Sequence, residues 1–130
     1  MIADYYSRQI VCLSFATGKT HDFALFKREA FEFSPDLACA ADSGFQGIQD
    51  HHKRAYCPKK ASKHHPLTPN HKDYNRVLAS YRIVVENVIR CLKVFRILSS
   101  VYRNRRRRFG LRFNLIAGIY NRDLQLKADL

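Results

Sequence analysis

A chain of 130 residues, 46% of them apolar, is long enough for one packed domain and is too apolar to read as disordered. It is strongly basic, with 23 Lys and Arg against 11 Asp and Glu, and the excess is regional: Lys53 to Arg112 carries 17 basic residues and only Asp73 and Glu86 as acids. Such a concentration points to a polyanionic partner, nucleic-acid backbone first, while no apolar run approaches the roughly 18 residues of a membrane span.

In chain order, Met1 to Asp4 reads as the tail of a strand entering a turn, which suggests a chain that begins partway into a fold. No signal-peptide pattern is read there. Ile10 to Ala16 has the apolar density of a β-strand, and Thr17-Gly18-Lys19 breaks it. Thr20 or Asp22 can cap a short helix running to about Arg28. Leu37 to Ala41 is short, small and apolar, the pattern of a buried strand that ends at Asp42. Ser43 to Gly47 turns the chain, Ile48 to His52 adds a helical turn, and Ala55 to Cys57 forms one more short strand. Pro58 to His71, rich in Pro, Lys and His, reads as a basic loop. Helical periodicity runs from near Asp73 to about Leu98, and again through the apolar run Leu111 to Leu124 with its internal Gly118. Without internal repeats or a dividing linker, one domain over 1–130 is expected, its basic helical part starting near 73. Cys12, Cys39, Cys57 and Cys91 are widely spaced and read as reduced, buried thiols of a cytoplasmic protein.

Two places carry candidate chemistry. On a helix, Arg82, Glu86 and Lys93 project within a sector roughly 40° wide, at about 100° per residue. Val85, Val88, Ile89 and Leu92 fill the neighbouring sector. A carboxylate flanked by cations beside a core can hold a metal ion against phosphate. An ordinary amphipathic helix with an i, i+4 Arg82–Glu86 pair has the same pattern, and taken alone that is the better reading. Asp42, at the end of a buried strand just before Gly44, suits a metal-ligating acid; a turn-forming Asp fits equally well. Together, Asp42 and Glu86 in one basic domain suggest hard-cation chemistry on phosphodiesters. Two Mg²⁺ or Mn²⁺ ions about 4 Å apart can activate a water or 3′-hydroxyl and stabilise the leaving oxygen.

Several segments resemble the DDE-type transposases of bacterial insertion sequences: Thr17 to Asp22, Ala41-Asp42-Ser43-Gly44-Phe45-Gln46-Gly47, Arg82-x3-Glu86-x6-Lys93, Arg103 to Asn114, and Asn121. The resemblance implies an α/β fold with a ribonuclease H-like mixed sheet and flanking helices, here truncated at its N-terminal side. It implies cutting and joining of transposon ends with two divalent ions, Asp42 and Glu86 as metal-holding catalytic acids, and Arg82 and Lys93 in support. The family's Tyr three positions before the Arg is Ala79 here. The family's first catalytic Asp belongs on a strand before Met1 to Asp4, and neither Asp4 nor Asp22 matches it. The expectation is therefore a C-terminal part of a transposase, from a truncated gene or a frameshifted pair, poor or inactive alone. Its partners would be transposon-end and target DNA, and an upstream-frame half or full-length transposase, in the cytoplasm at the nucleoid.

Arg103, Arg105, Arg106, Arg107, Arg108 and Arg112, with Lys59, Lys60 and Lys63, are the candidate DNA-backbone contacts; a solvated turn between helices is the plainer alternative for the arginine run. The six histidines and Cys57 fit no zinc-ligand spacing. A rival from another class is a non-enzymatic DNA-binding remnant that interferes with full-length transposase. A third possibility is a pseudogene product without a stable fold.

Overall fold

Asp4 makes the first reversal. In the computed structural model, which describes residues 1–16, 18–29, 31–100 and 108–130, its Oδ1 accepts the Ser7 amide at 2.6 Å and its carbonyl accepts that of Arg8 at 3.0 Å. Arg8 takes a left-handed φ of 60°, which brings the chain back on itself. Strand β1 (Ile2–Ala3) thereby pairs antiparallel with β2 (Ile10–Cys12), Ile2 opposite Cys12 and Ala3 opposite Ile10. So the partner of the Met1 to Asp4 strand is the strand that follows it. The ladder stops at Cys12 rather than Ala16, because β1 supplies only two residues to pair with.

The described residues form two compact units. One comprises Met1–Phe15 and Val84–Leu130, the other Ala16–Ile83. The division falls inside the longest helix, α2 (Pro69–Leu92). Helix α1 (Asp22–Glu29) and strands β3 (Cys39–Ala40) and β4 (Ala55–Tyr56) belong to the second unit. Helices α3 (Arg96–Ser99) and α4 (Phe109–Ala128) belong to the first.

In the first unit, Val88 and Leu92 are almost fully buried, and Ile10, Ile116 and Ala117 join them in one core. Leu13, Ile97, Leu98, Phe113 and Tyr120 pack around it. Phe15 stacks edge-on against Phe109 and Phe113, at 5.8 and 5.3 Å between ring centres. The Phe15 ring lies 3.4 Å from where a Cβ on Gly110 would stand, so a small residue suits that position. Asn121 bonds both backbone groups of Ile10, accepting its N–H at 2.8 Å and donating to its carbonyl at 2.9 Å.

Helix α2 begins before Asp73 because Thr68 and Pro69 start it. The Thr68 hydroxyl accepts the His71 amide at 3.2 Å, and Pro69 occupies the first turn, where its missing N–H costs nothing. Its expected run to Leu98 is interrupted. Val94 and Phe95 bond back three residues, to Cys91 and Leu92, which tightens the last turn before α3 restarts. Cys91 stands on the outward side of α2 and is exposed, against the expectation of four buried thiols. Cys57 is buried, Cys12 and Cys39 are partly so, and all four are free.

The second unit is built from short pieces. β3 and β4 pair in parallel, Cys39 beside Ala55 and Ala40 beside Tyr56. Between them, single 3-10 turns form at Ser43–Phe45 and Ile48–Asp50, joined through Gly47 at a φ of 87° that glycine adopts without strain. Ile48, Ala55, Cys57 and Ala41 are buried together, with Phe23, Phe26 and Phe45 laid over them. Buried His52 holds the Leu37 carbonyl through Nε2 at 2.6 Å. Among the described residues the architecture is mixed α/β, with one antiparallel and one parallel two-stranded sheet. No described helix is long and apolar enough to cross a membrane.

Candidate active site

Strand β3 and the turn after it place Asp42. Ala41 donates its amide to the Tyr56 carbonyl at 2.8 Å, which continues the β3–β4 pairing by one residue. Asp42 then caps the 3-10 turn: its Oδ1 accepts the Ser43 amide at 2.5 Å, and its carbonyl accepts the Phe45 amide at 2.9 Å.

Arg82, on α2, brings its Nη2 to 3.1 Å from the same Asp42 Oδ1. The ion pair found at Arg82 is therefore with Asp42, not the local i, i+4 pair with Glu86 that helix periodicity offered. Asp42 is 56% exposed and Arg82 32%, so water screens the pair and its direct contribution to stability is small. Its consequence is positional. It fixes one carboxylate oxygen, while among the described residues Oδ2 has no hydrogen bond or ion pair.

That carboxylate opens onto a shallow depression of about 360 Å³, lined also by Lys19, Thr20, His21, Asp22 and Gly44. His21 caps the start of α1, its Nδ1 accepting the Phe23 amide at 3.3 Å. Asp22 is the first residue of α1.

Hydrogen bonds support the Asp42 turn from behind. The Cys57 thiol donates to the Asp42 carbonyl at 2.9 Å. The Gln46 side-chain amide donates to the Pro58 carbonyl at 2.9 Å, and to Cys57 Sγ and the Ser43 carbonyl at 3.3 Å each. Burial pushes the Cys57 thiol above its ordinary value, so it remains an S–H donor at neutral pH. Asn75 on α2 grips Lys59 twice, accepting its N–H at 2.8 Å and donating to its carbonyl at 2.9 Å, and the Tyr74 hydroxyl donates to the Cys57 carbonyl at 3.4 Å. The sequence marks Lys59 only as a DNA-backbone candidate and gives Gln46, Tyr74 and Asn75 no functional signal of their own, although Gln46 lies inside the Ala41 to Gly47 motif.

Of the remaining expected residues, Glu86 lies on α2 and is exposed. Lys93, also exposed, stands just past the end of α2 with its amide on the Ile89 carbonyl. Lys59, Lys60 and Lys63 are exposed in the segment between β4 and α2. Arg108 precedes α4 and is exposed, and Arg112 on α4 is half-buried. Arg103, Arg105, Arg106 and Arg107 lie outside the described residues.

A divalent cation finds suitable donor chemistry in Asp42. Mg²⁺ and Mn²⁺ take hard oxygen ligands, and Mg²⁺ is usually held by one or two carboxylates with water and phosphate completing the shell. One restrained and one open carboxylate oxygen meet that requirement. Among the described residues no three His, Cys, Asp or Glu side chains gather into a fuller protein cage.

The chain belongs to the DDE superfamily endonuclease family, whose model matches residues 3–121. Over 120 residues, 92% of its length, it is 55% identical to a probable transposase for insertion sequence element IS702 from Microchaete diplosiphon. The chain spans 44% of that relative's length. No solved structure matches it.

Proposed function

We propose that this chain carries part of the catalytic apparatus of a DNA transposase, acting at the ends of an insertion sequence by metal-dependent cleavage and strand transfer. The observation that carries the reading is the Arg82–Asp42 ion pair. It sets Asp42, from the Asp42-Ser43-Gly44 motif, against Arg82, the first residue of Arg82-x3-Glu86-x6-Lys93. Family membership supports a ribonuclease H-like arrangement, DNA as partner, and action in the cytoplasm at the nucleoid.

In this reading Asp42 and Glu86 are the carboxylates that hold Mg²⁺ or Mn²⁺. When bound, such ions polarise the scissile phosphate and activate a water or 3′-hydroxyl. Arg82 neutralises Asp42 before DNA arrives and then offers its guanidinium to a phosphate oxygen, for which its fork geometry is suited. Lys93 supplies a second positive charge near the end of α2. Lys59, Lys60, Lys63, Arg108 and Arg112, with Arg103 and Arg105 to Arg107, hold the DNA backbone. Each phosphate contact contributes about one unit to the salt dependence of binding.

We also propose that the isolated chain cuts poorly, because this reading supplies two acids where the family's chemistry uses three. An upstream-frame half or a full-length transposase would supply the third.

Calorimetric titration with Mn²⁺ tests the assignment. Asp42→Asn and Glu86→Gln are each expected to weaken binding about tenfold or more, since each removes a charged oxygen ligand. DNA binding that survives both changes, with Mn²⁺ affinity unaltered, would overturn the reading in favour of a non-enzymatic DNA binder. Efficient Mn²⁺-dependent nicking of the insertion sequence's own terminal DNA by this chain alone, lost in Glu86→Gln, would show that two acids suffice.

A further inference from the structure

We infer that Gln46 is a positioning residue for Asp42, acting through the Cys57 thiol; this rests on the reading of Asp42 as a metal-holding carboxylate. Asp42 sits at the end of a two-residue strand and enters a single 3-10 turn, elements too short to fix a side chain by themselves. Its carboxylate is more than half exposed. Its direction therefore depends on what anchors its backbone.

Two anchors come from β4 and the residues after it. The buried Cys57 S–H bonds the Asp42 carbonyl. Gln46, from the far side of the turn, bonds Cys57 Sγ and the Pro58 carbonyl. By donating to the sulfur, the Gln46 amide leaves the thiol hydrogen to point at the Asp42 carbonyl. The same amide bonds the Ser43 carbonyl, so one side chain ties both ends of the turn to the neighbouring strand. Every one of these contacts requires Gln46 to donate. A glutamate of the same length offers acceptors only at neutral pH, and faces three acceptor atoms.

Outer hydrogen-bonding partners of metal ligands usually set affinity by 10- to 100-fold. For Gln46 the expected effect is at the low end, because Asp42 keeps its direct partners Ser43 and Arg82.

The test follows amide signals of the ¹⁵N-labelled full chain during a Mn²⁺ titration, with no DNA and no turnover. In the unsubstituted chain, the Ser43 and Gly44 amides are expected to broaden first. Gln46→Met keeps the volume and removes the donor; it should raise the Mn²⁺ concentration for half-broadening about tenfold, and Gln46→Glu at least as much. Cys57→Ser, which still donates to the Asp42 carbonyl, should stay within about threefold of the unsubstituted chain, while Cys57→Ala should resemble Gln46→Met. Circular dichroism melting confirms that the fold is retained, and Gln46→Met, being at an exposed position, is the variant that decides if a Cys57 variant unfolds.

Equal midpoints for Gln46→Met and the unsubstituted chain would remove the positioning role and leave the metal reading standing. No broadening near Ser43 in the unsubstituted chain would remove the metal reading, and the positioning role with it.

Discussion

The two units are held by different physics. In the unit of Met1–Phe15 and Val84–Leu130, aliphatic side chains of long helices bury one another around Val88 and Leu92. In the unit of Ala16–Ile83, strands of two residues and single 3-10 turns are covered by phenylalanine rings and fixed by side chain–backbone hydrogen bonds. Helical periodicity builds a core that tolerates exchange of one apolar residue for another of similar size. Short elements have no such redundancy, since each is placed by a few directional contacts. The Asp42 turn belongs to the second kind, so its geometry depends on polar neighbours more than on apolar volume.

The comparison is sharpest at Leu92. Leu92→Ala leaves a cavity in the aliphatic core and should cost about 3 kcal/mol in urea unfolding. A loss below 1 kcal/mol would mean that this core does not hold its unit together.

Asn121→Leu comes next. It strips partners from the Ile10 N–H and carbonyl and is expected to cost about 2 kcal/mol, with faster hydrogen exchange at Ile10. In the other unit, Phe26 meets Phe23, Phe31, Phe33 and Phe45 at ring distances between 5.6 and 6.3 Å. Phe26→Leu keeps the apolar character and loses the ring geometry, so about 1 kcal/mol is expected from thermal melting. A loss as large as that at Leu92 would erase the distinction between the two cores.

The smallest effect concerns Asp4, whose carboxyl is held below its ordinary value by the Ser7 backbone and side-chain hydrogen bonds. A depressed folded-state value contributes stability above the ordinary carboxylate range and loses it as pH falls through that lowered value. Asp4→Asn should therefore lower stability slightly at neutral pH and flatten the fall on the acid side, the two stability–pH curves from urea unfolding converging at low pH.

How much of this was legible depended on whether the determining contact was local. The hairpin turn at Asp4, the helix after Asp22, the strand ending at Asp42 and the C-terminal helix were readable because composition and period are local signals. The true start of α2 was also written in the sequence, as Thr68-Pro69, but the surrounding Pro, Lys and His made the stretch look like loop. The interruption at Lys93 to Phe95 carries neither Gly nor Pro, so nothing nearby marks it. At the site, residues could be nominated but not connected. Periodicity offered Arg82 the carboxylate of Glu86, whereas the ion pair found is with Asp42, brought within reach by tertiary folding. The bonds of Gln46 to Cys57 and Pro58 depend likewise on the parallel register of β3 and β4, which no local pattern specifies.

Asn121 has a consequence beyond the stability of its own unit. Gln9 directs its carbonyl toward the hairpin, where it receives the Asp4 amide, so the backbone groups of Ile10, one residue on, face the other way. Such groups on an edge are a template for a foreign strand, and Val11 beside them is two-thirds exposed. By presenting a side-chain amide that imitates a peptide, α4 plugs the template. At Ile10, then, that edge of the hairpin offers a foreign strand no open donor or acceptor.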